Sequence, residues 1–263
     1  MFSRRALLSG GFSGIEIAEV FADGEDGFWL DLSDTDSVLD ASLNPVTTNG
    51  EPIRRVLDQS PNATTFDQGT VNNRALWNNN GLSDHNHVSG TPRFWRNSVA
   101  MGGNYTAFTI MFALKLRNQD INARILWTNS SPLNGLELDA SLAEMRWVGS
   151  GATLTGGGFI DLHEVVVTVV GDASGQRLYY HYRPDSKDWH PAHARLYLQD
   201  SDSAVGLFPR DERANRIYIG AGGTSSLGYK GLLAECIATS RALSEPEINM
   251  LSRYLGNRHL LTI

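Results

Sequence analysis

The chain reads as an all-β sandwich closed by one amphipathic helix, and three observations predict it. About ten strand-like segments recur at roughly 8–15-residue intervals, a spacing of sandwiches and not of alternating βαβ units. The 26 glycines, with many Asn, Asp and Ser, supply the turns that short strands require. Helical periodicity stands out once, at the end of the chain, where Ile248, Leu251, Tyr254 and Leu255 form an apolar stripe.

Taken in order, residues 1–25 read as an N-terminal arm, with a short helix over 15–21, and 26–263 as one β-sandwich domain. Residues 27–31 form an aromatic strand ending in an Asp/Ser-rich loop. Residues 45–48 and 54–57 flank a turn at 49–52, and 58–92 is loop-rich, with a turn over 78–81. Residues 105–116 are apolar and β-prone, as in a central strand. Strands follow at 123–127, 135–139, 145–148, 163–170, 176–183, 195–198, 216–220 and 229–238. The helix opens on a capping box, Ser244 with Glu247 three residues later and Pro246 in the first turn, and Gly256 marks its stop.

Composition excludes several classes. A net charge of −7 removes the basic face that nucleic-acid binding needs. No apolar run approaches the roughly 18 residues of a membrane span. The single cysteine, Cys236, sits in a strand-like run and reads as a small core residue. Arg4-Arg5 looks superficially like a twin-arginine export signal, but Gly10, Gly11 and Gly14 and then Glu16 and Glu19 break the apolar stretch such a signal needs. The arm is therefore expected to dock, through Phe2, Arg4, Arg5, Leu7, Leu8, Phe12 and Ile15.

The ending of the chain is similar to that of concanavalin A-like, laminin-G-like jelly rolls. A G-x-[IL]-x-E strand, an R-x-L-S-x-x-E turn and a Y-L pair occur here as Gly231–Glu235, Arg241–Glu247 and Tyr254-Leu255. The opening, Phe21 through Asp34, resembles the F-x-x-G-E-x-G-x-W-x-D-x-S-D start of phage and prophage structural proteins. The likeness continues through Asn44-Pro45-Val46-Thr47, Gly50-Glu51-Pro52-Ile53 and Asp58-Gln59-Ser60-Pro61-Asn62-Ala63-Thr64. Asn44 stands where those proteins have Thr, and one residue is missing before Thr64. The two ends cover about a third of the chain. The resemblance implies a jelly roll with a C-terminal helix and an N-terminal arm. It further implies a virion location and a head decoration, head spike or tail-associated adhesin, homo-oligomeric, beside other virion proteins and facing host surface polysaccharide.

Candidate chemistry follows from the residues. Sugar binding would use aromatic rings beside amides, and Trp77 with Asn78 and Asn79, Trp95, and Trp189 fit that description. Asp31, Asp34 and Asp36, with Asp40, crowd one loop and offer calcium its oxygen ligands, although the spacing is not that of an EF-hand; no other cofactor is expected. His85/His87 and His190/His193 lack a third zinc ligand. Glycoside hydrolysis requires a carboxylate pair. Glu137-Leu138-Asp139 begins the E-x-D-x-E pattern of family-sixteen-like glucanases, but Ser141 and Leu142 stand where the second Glu belongs. Glu144 lies an odd number of residues from Glu137, on the opposite face of a regular strand. The sequence thus assigns no catalytic residue and predicts a non-enzymatic protein, with a free carbohydrate-binding module second and a glycoside hydrolase third.

Overall fold

A computed structural model of the chain describes residues 17–78, 82–84, 95–97, 105–116, 123–128, 135–139, 144–149, 151–157, 164–183, 194–208, 217–220 and 231–259. After a 3₁₀ turn at Ile17–Phe21 come β1 (Gly27–Asp31), β2 (Val38–Leu39), β3 (Arg55–Leu57), β4 (Thr65–Asp67), β5 (Leu76–Asn78) and β6 (Leu82–Asp84). The middle of the chain forms β7 (Trp95–Asn97), β8 (Phe108–Leu116), β9 (Ala123–Thr128), β10 (Gly135–Asp139), β11 (Glu144–Val148) and β12 (Thr153–Gly156). The rest is β13 (Glu164–Asp172), β14 (Gly175–Tyr182), β15 (Arg195–Asp202), β16 (Ile217–Ile219), β17 (Gly231–Thr239) and helix α1 (Glu245–His259).

These strands make the predicted jelly-roll sandwich. An eight-stranded sheet runs β15-β14-β13-β8-β17-β6-β5 with β1 beside β17, and a nine-stranded sheet runs β12-β11-β10-β9-β16-β7-β4-β3-β2. Their faces differ. Between the sheets lies the main core, with Phe28, Leu30, Phe66, Phe112, Leu136, Leu138, Trp147, Leu178 and Tyr180 buried in it. A second core lies on the other side of the eight-stranded sheet, where Met111, Val166, Val170, Tyr179 and Ile237 meet Ile248, Leu251 and Leu255 of α1. This is why the β13 segment is an unbroken β-branched run: Val165, Val167 and Val169 face one core while Val166 and Val170 face the other. The eight-stranded sheet is thus covered on both faces, by its partner sheet on one and by α1 on the other.

The opening motifs prove to be one structural lock. Gly27 has φ +153°, and a Cβ there would overlap the Ala238 carbonyl oxygen across the β1–β17 pair. The Asp58 carboxylate accepts the N–H groups of Trp29 (2.7 Å), Ser60 (2.8 Å) and Thr64 (3.0 Å), and the Ser60 hydroxyl. Asn62 Nδ2 donates to the Gly27 carbonyl (3.0 Å) and Gln59 Nε2 to Asp34 (2.7 Å). The G-x-W-x-D and D-x-S-x-N-A-T elements therefore bind each other, and their joint occurrence has a reason within the fold. Residues 45–48, expected as a strand, make only a single bridge, Leu39↔Pro45.

Of the proposed arm, Phe2, Arg4, Arg5, Leu7, Leu8, Phe12 and Ile15 lie outside the described residues. Its described end, Ile17–Phe21, packs Ile17, Val20 and Phe21 into the second core.

One half of the predicted capping box forms: Glu247 accepts the backbone N–H of Ser244 (2.8 Å), and it also accepts the Ser244 hydroxyl (2.7 Å), which donates here instead of capping a helix N–H. Gly256 does not stop the helix, which continues to His259. A helical glycine costs about 1 kcal/mol relative to Ala. The extra turn carries Arg258 and His259 to two buried carboxylates. Under the helix, fully buried His181 has its pKa lowered to about 3, first by burial and then by Arg253; Asn249 opposes this and Arg195 adds to it. With a folded value below the ordinary 6.5, its stabilising contribution is complete above pH 6.5 and is lost as pH falls from 6.5 toward 3. We expect His181→Gln to flatten the stability profile over that window, by about 2 kcal/mol between pH 6.5 and 5. Urea midpoints of both proteins at those two pH values are the check, and parallel curves would refute it.

Candidate active site

The open face of the nine-stranded sheet carries the candidate site. On β10, Leu136 and Leu138 point into the main core, so Glu137 and Asp139 point outward. On β11, Met145 and Trp147 point inward, so Glu144 and Arg146 share that outer face. The antiparallel register sets Glu137 opposite Arg146 and Asp139 opposite Glu144, and on the other side Glu137 pairs with Arg124 of β9. Three carboxylates and two guanidiniums thus meet across three strands. The expectation that Glu144 faces away from Glu137 is corrected here. Parity applies within a strand, but the chain reverses between Asp139 and Glu144, and the register restores Glu144 to the same face.

The three acids differ in environment. Asp139 is buried and its Oδ2 lies 2.6 Å from Arg146 Nη2, while Glu144 Oε2 lies 3.9 Å from Arg146 Nε. Glu137 is half-buried with its pKa raised: burial is the largest cause, Asp139 adds to it, and Arg124 and Arg146 pull the other way. Arg124 has its own pKa lowered by burial, against the opposing pull of Glu137. A carboxyl with raised proton affinity beside an arginine-paired carboxylate is the asymmetry that general acid chemistry needs.

A second charged cluster lies beneath α1. Asp31 and Glu235 are cross-strand partners and both are fully buried. A bulge in β17 between Leu233 and Glu235 turns Glu235 toward the helix. There it accepts Trp29 Nε1 and contacts His259 Nε2, with Arg258 Nη1 3.7 Å away. Asp31 accepts the Ser33 N–H (2.9 Å) and hydroxyl (2.6 Å) and pairs with Arg258. Asp31, Glu235 and His259 bring three ligand atoms within 4.8 Å of one another, yet the Arg258 guanidinium already lies against both carboxylates. The cluster is a buried clamp that ties the end of α1 to β1 and β17.

The sequence candidates fall elsewhere. Trp77 is 7% exposed in the main core and offers no stacking face, which corrects its reading as a sugar platform; the ring fills the gap between the sheets. Asn78 and Trp95 lie on β5 and β7, while Asn79, Trp189 and both histidine pairs lie outside the described residues. Of the loop acids, Asp31 is directed to Arg258, Asp34 holds Gln59, Asp36 is exposed, and Asp40 caps the N–H groups of Ser42 and Asn44. A calcium ion at this loop would have to displace those bonds.

No protein-family model and no curated protein matches the chain. Solved structures do. A GH54 α-L-arabinofuranosidase soaked with a cyclic sulfate inhibitor superposes with a TM-score of 0.63 at 13% identity, over 95% of this chain and 66% of that one. A Trypanosoma rangeli sialidase in complex with sialic acid superposes with a TM-score of 0.55 at 14% identity, over 92% of this chain and 34% of that one. The chain therefore spans just under two thirds of the first and about a third of the second. At such identity the likeness shows the fold alone: an all-β, jelly-roll-like sandwich. It overturns the expectation of a non-enzymatic virion structural protein. The fold that the resemblance at the two ends assigned to phage proteins is matched here in glycoside hydrolases, and nothing in the structure ties it to a virion.

Proposed function

We propose that this chain is a carbohydrate-active domain that hydrolyses glycosidic bonds on the outer face of its nine-stranded sheet. The observation that carries the reading is the convergence of Glu137, Asp139 and Glu144 on that face, with the Glu137 carboxyl shifted by burial toward its protonated form. Glu137 donates its proton to the glycosidic oxygen as the bond to the anomeric carbon breaks. Asp139, held by Arg146 and with Glu144 directly opposite, is the carboxylate that meets the developing positive charge; water then adds to the anomeric carbon and its proton returns to Glu137, restoring the acid. Arg124 and Arg146, on either side of Glu137, orient substrate hydroxyls and temper the proton affinity of the acid. The arabinofuranosidase and sialidase likenesses support the substrate class, a glycan.

The full chain, incubated with 4-nitrophenyl glycosides of arabinofuranose, galactose, glucose and xylose, with sialosides, and with arabinan, arabinoxylan and β-glucan, should release nitrophenol or reducing ends from at least one. Absence of release across the whole panel at pH 4 to 8 would overturn the reading.

A further inference from the structure

We propose that Tyr182 and Tyr197 form an aromatic subsite that takes one sugar ring of a glycan chain running onto the Glu137–Asp139–Glu144 face. The ligand class rests on the glycan reading above; the placement rests on separate observations. The two rings pack against each other with centroids 5.1 Å apart, tilted by 52°, and both are half-buried. In the β14–β15 register Tyr197 stands opposite Tyr180, and Tyr182 stands opposite Arg195, which is exposed. Tyr180 belongs to the main core and Tyr182 packs against it, so the three tyrosines form one row turned toward the nine-stranded sheet.

That row reaches, from the inner side, the backbone of the strand whose outer face carries Glu144. The Tyr180 hydroxyl donates to the carbonyls of Gly156 (3.2 Å) and, at longer range, Met145 (3.5 Å), the residue next to Glu144. Glu144 and Tyr182 both bear electrostatically on that same hydroxyl. β15 and β12 are the terminal strands of their sheets, and the Thr155 N–H donates to Asp200 Oδ2 (2.9 Å) across the gap. Buried Tyr180 is thus the post between Glu144 on the open face and the tyrosine pair at the rim where the sheets meet. A half-exposed tyrosine offers an apolar ring face to sugar C–H groups and a hydroxyl to sugar oxygens, and the exposed Arg195 adds a donor alongside. A protein partner at this rim would leave glycan binding untouched, which the test separates.

The test is affinity electrophoresis of the full chain through gels containing soluble arabinan, arabinoxylan or β-glucan, run with Tyr182→Ala, Tyr197→Ala and the two Phe variants. Aryl glycoside turnover is measured in parallel. We expect at least one polysaccharide to retard the parent chain, each Ala variant to weaken that binding about tenfold, and each Phe variant to retain most of it. Retardation unchanged in the Ala variants, or absent for the parent chain, would overturn the subsite. Turnover with unchanged retardation leaves the hydrolase reading standing and removes the subsite. Tyrosine-dependent retardation without any turnover does the reverse.

Discussion

Replacing Arg258 with alanine should destabilise the fold by about 3–5 kcal/mol, the cost of leaving a buried charge without its partner. Asp31 and Glu235 stand directly opposite each other on β1 and β17, and neither side chain reaches solvent. Like charges in that relation repel, and the interior gives them no water to weaken the repulsion. Arg258 arrives from the last turn of α1 and lies against both. Burial disfavours its charge, but Glu235 and Asp31 outweigh that and raise its pKa. Trp29, Ser33 and His259 bond the remaining carboxylate oxygens, so removing the guanidinium leaves hydrogen bonds but no compensating charge from arginine. Urea unfolding at pH 7 is the measurement. Arg258→Lys keeps the charge but loses the fork that spans both acids, so its midpoint should fall between the other two. A loss of less than about 1 kcal/mol for Arg258→Ala would mean that the pair is hydrated and the clamp is not the anchor of the helix.

Much of the fold was legible because its signals are local. The β13 run, the Tyr-rich alternation of β14 and the Ser244–Glu247 box each declare themselves within a dozen residues, and each formed where it was expected. Short strands such as β2, β4 and β7 carry two or three residues apiece, too few for a period to show, and they exist because neighbouring strands supply hydrogen bonds. Gly256 misled for a related reason: the propensity signal says stop, while the buried carboxylates that reward another turn lie more than 200 residues away for Asp31. The candidate site was half legible. Glu137 and Asp139 were visible as one strand face, but Arg124, Glu144 and Arg146 join them only through register. A strand reversal between Asp139 and Glu144 could have been tried from the sequence. Leu136 and Leu138 alternate against Met145 and Trp147, and matching those two inward sets puts Glu144 and Arg146 on the outward side. The opening motifs misled on origin because bonds within the fold account for them: Asp58, Asn62 and Gly27 serve each other.

Glu137→Gln should lower kcat on the responsive substrate by about 10²–10⁴-fold, because the amide keeps the size and hydrogen bonding of the acid but cannot deliver a proton. The direction of the pH dependence follows from the same residue. Glu137 acts while protonated, and burial raises its pKa above the ordinary 4.5, so the alkaline limb of kcat/KM should lie above that value and vanish in the variant. Two neighbours test the assignment without touching the proton. Arg124→Met removes a cation that holds the Glu137 pKa down, and it should shift the alkaline limb upward. Asp139→Asn removes an anion that pushes it up, and any remaining activity should show the limb shifted downward. Opposite displacements of one limb by two substitutions on either side of Glu137 would be hard to produce by damage to the fold, which lowers activity at every pH. An aryl substrate with a good leaving group needs little help from an acid, so the loss in Glu137→Gln should shrink as the leaving group improves. If the loss is the same for poor and good leaving groups, Glu137 is not the proton donor, and the role passes to Glu144 across the hairpin.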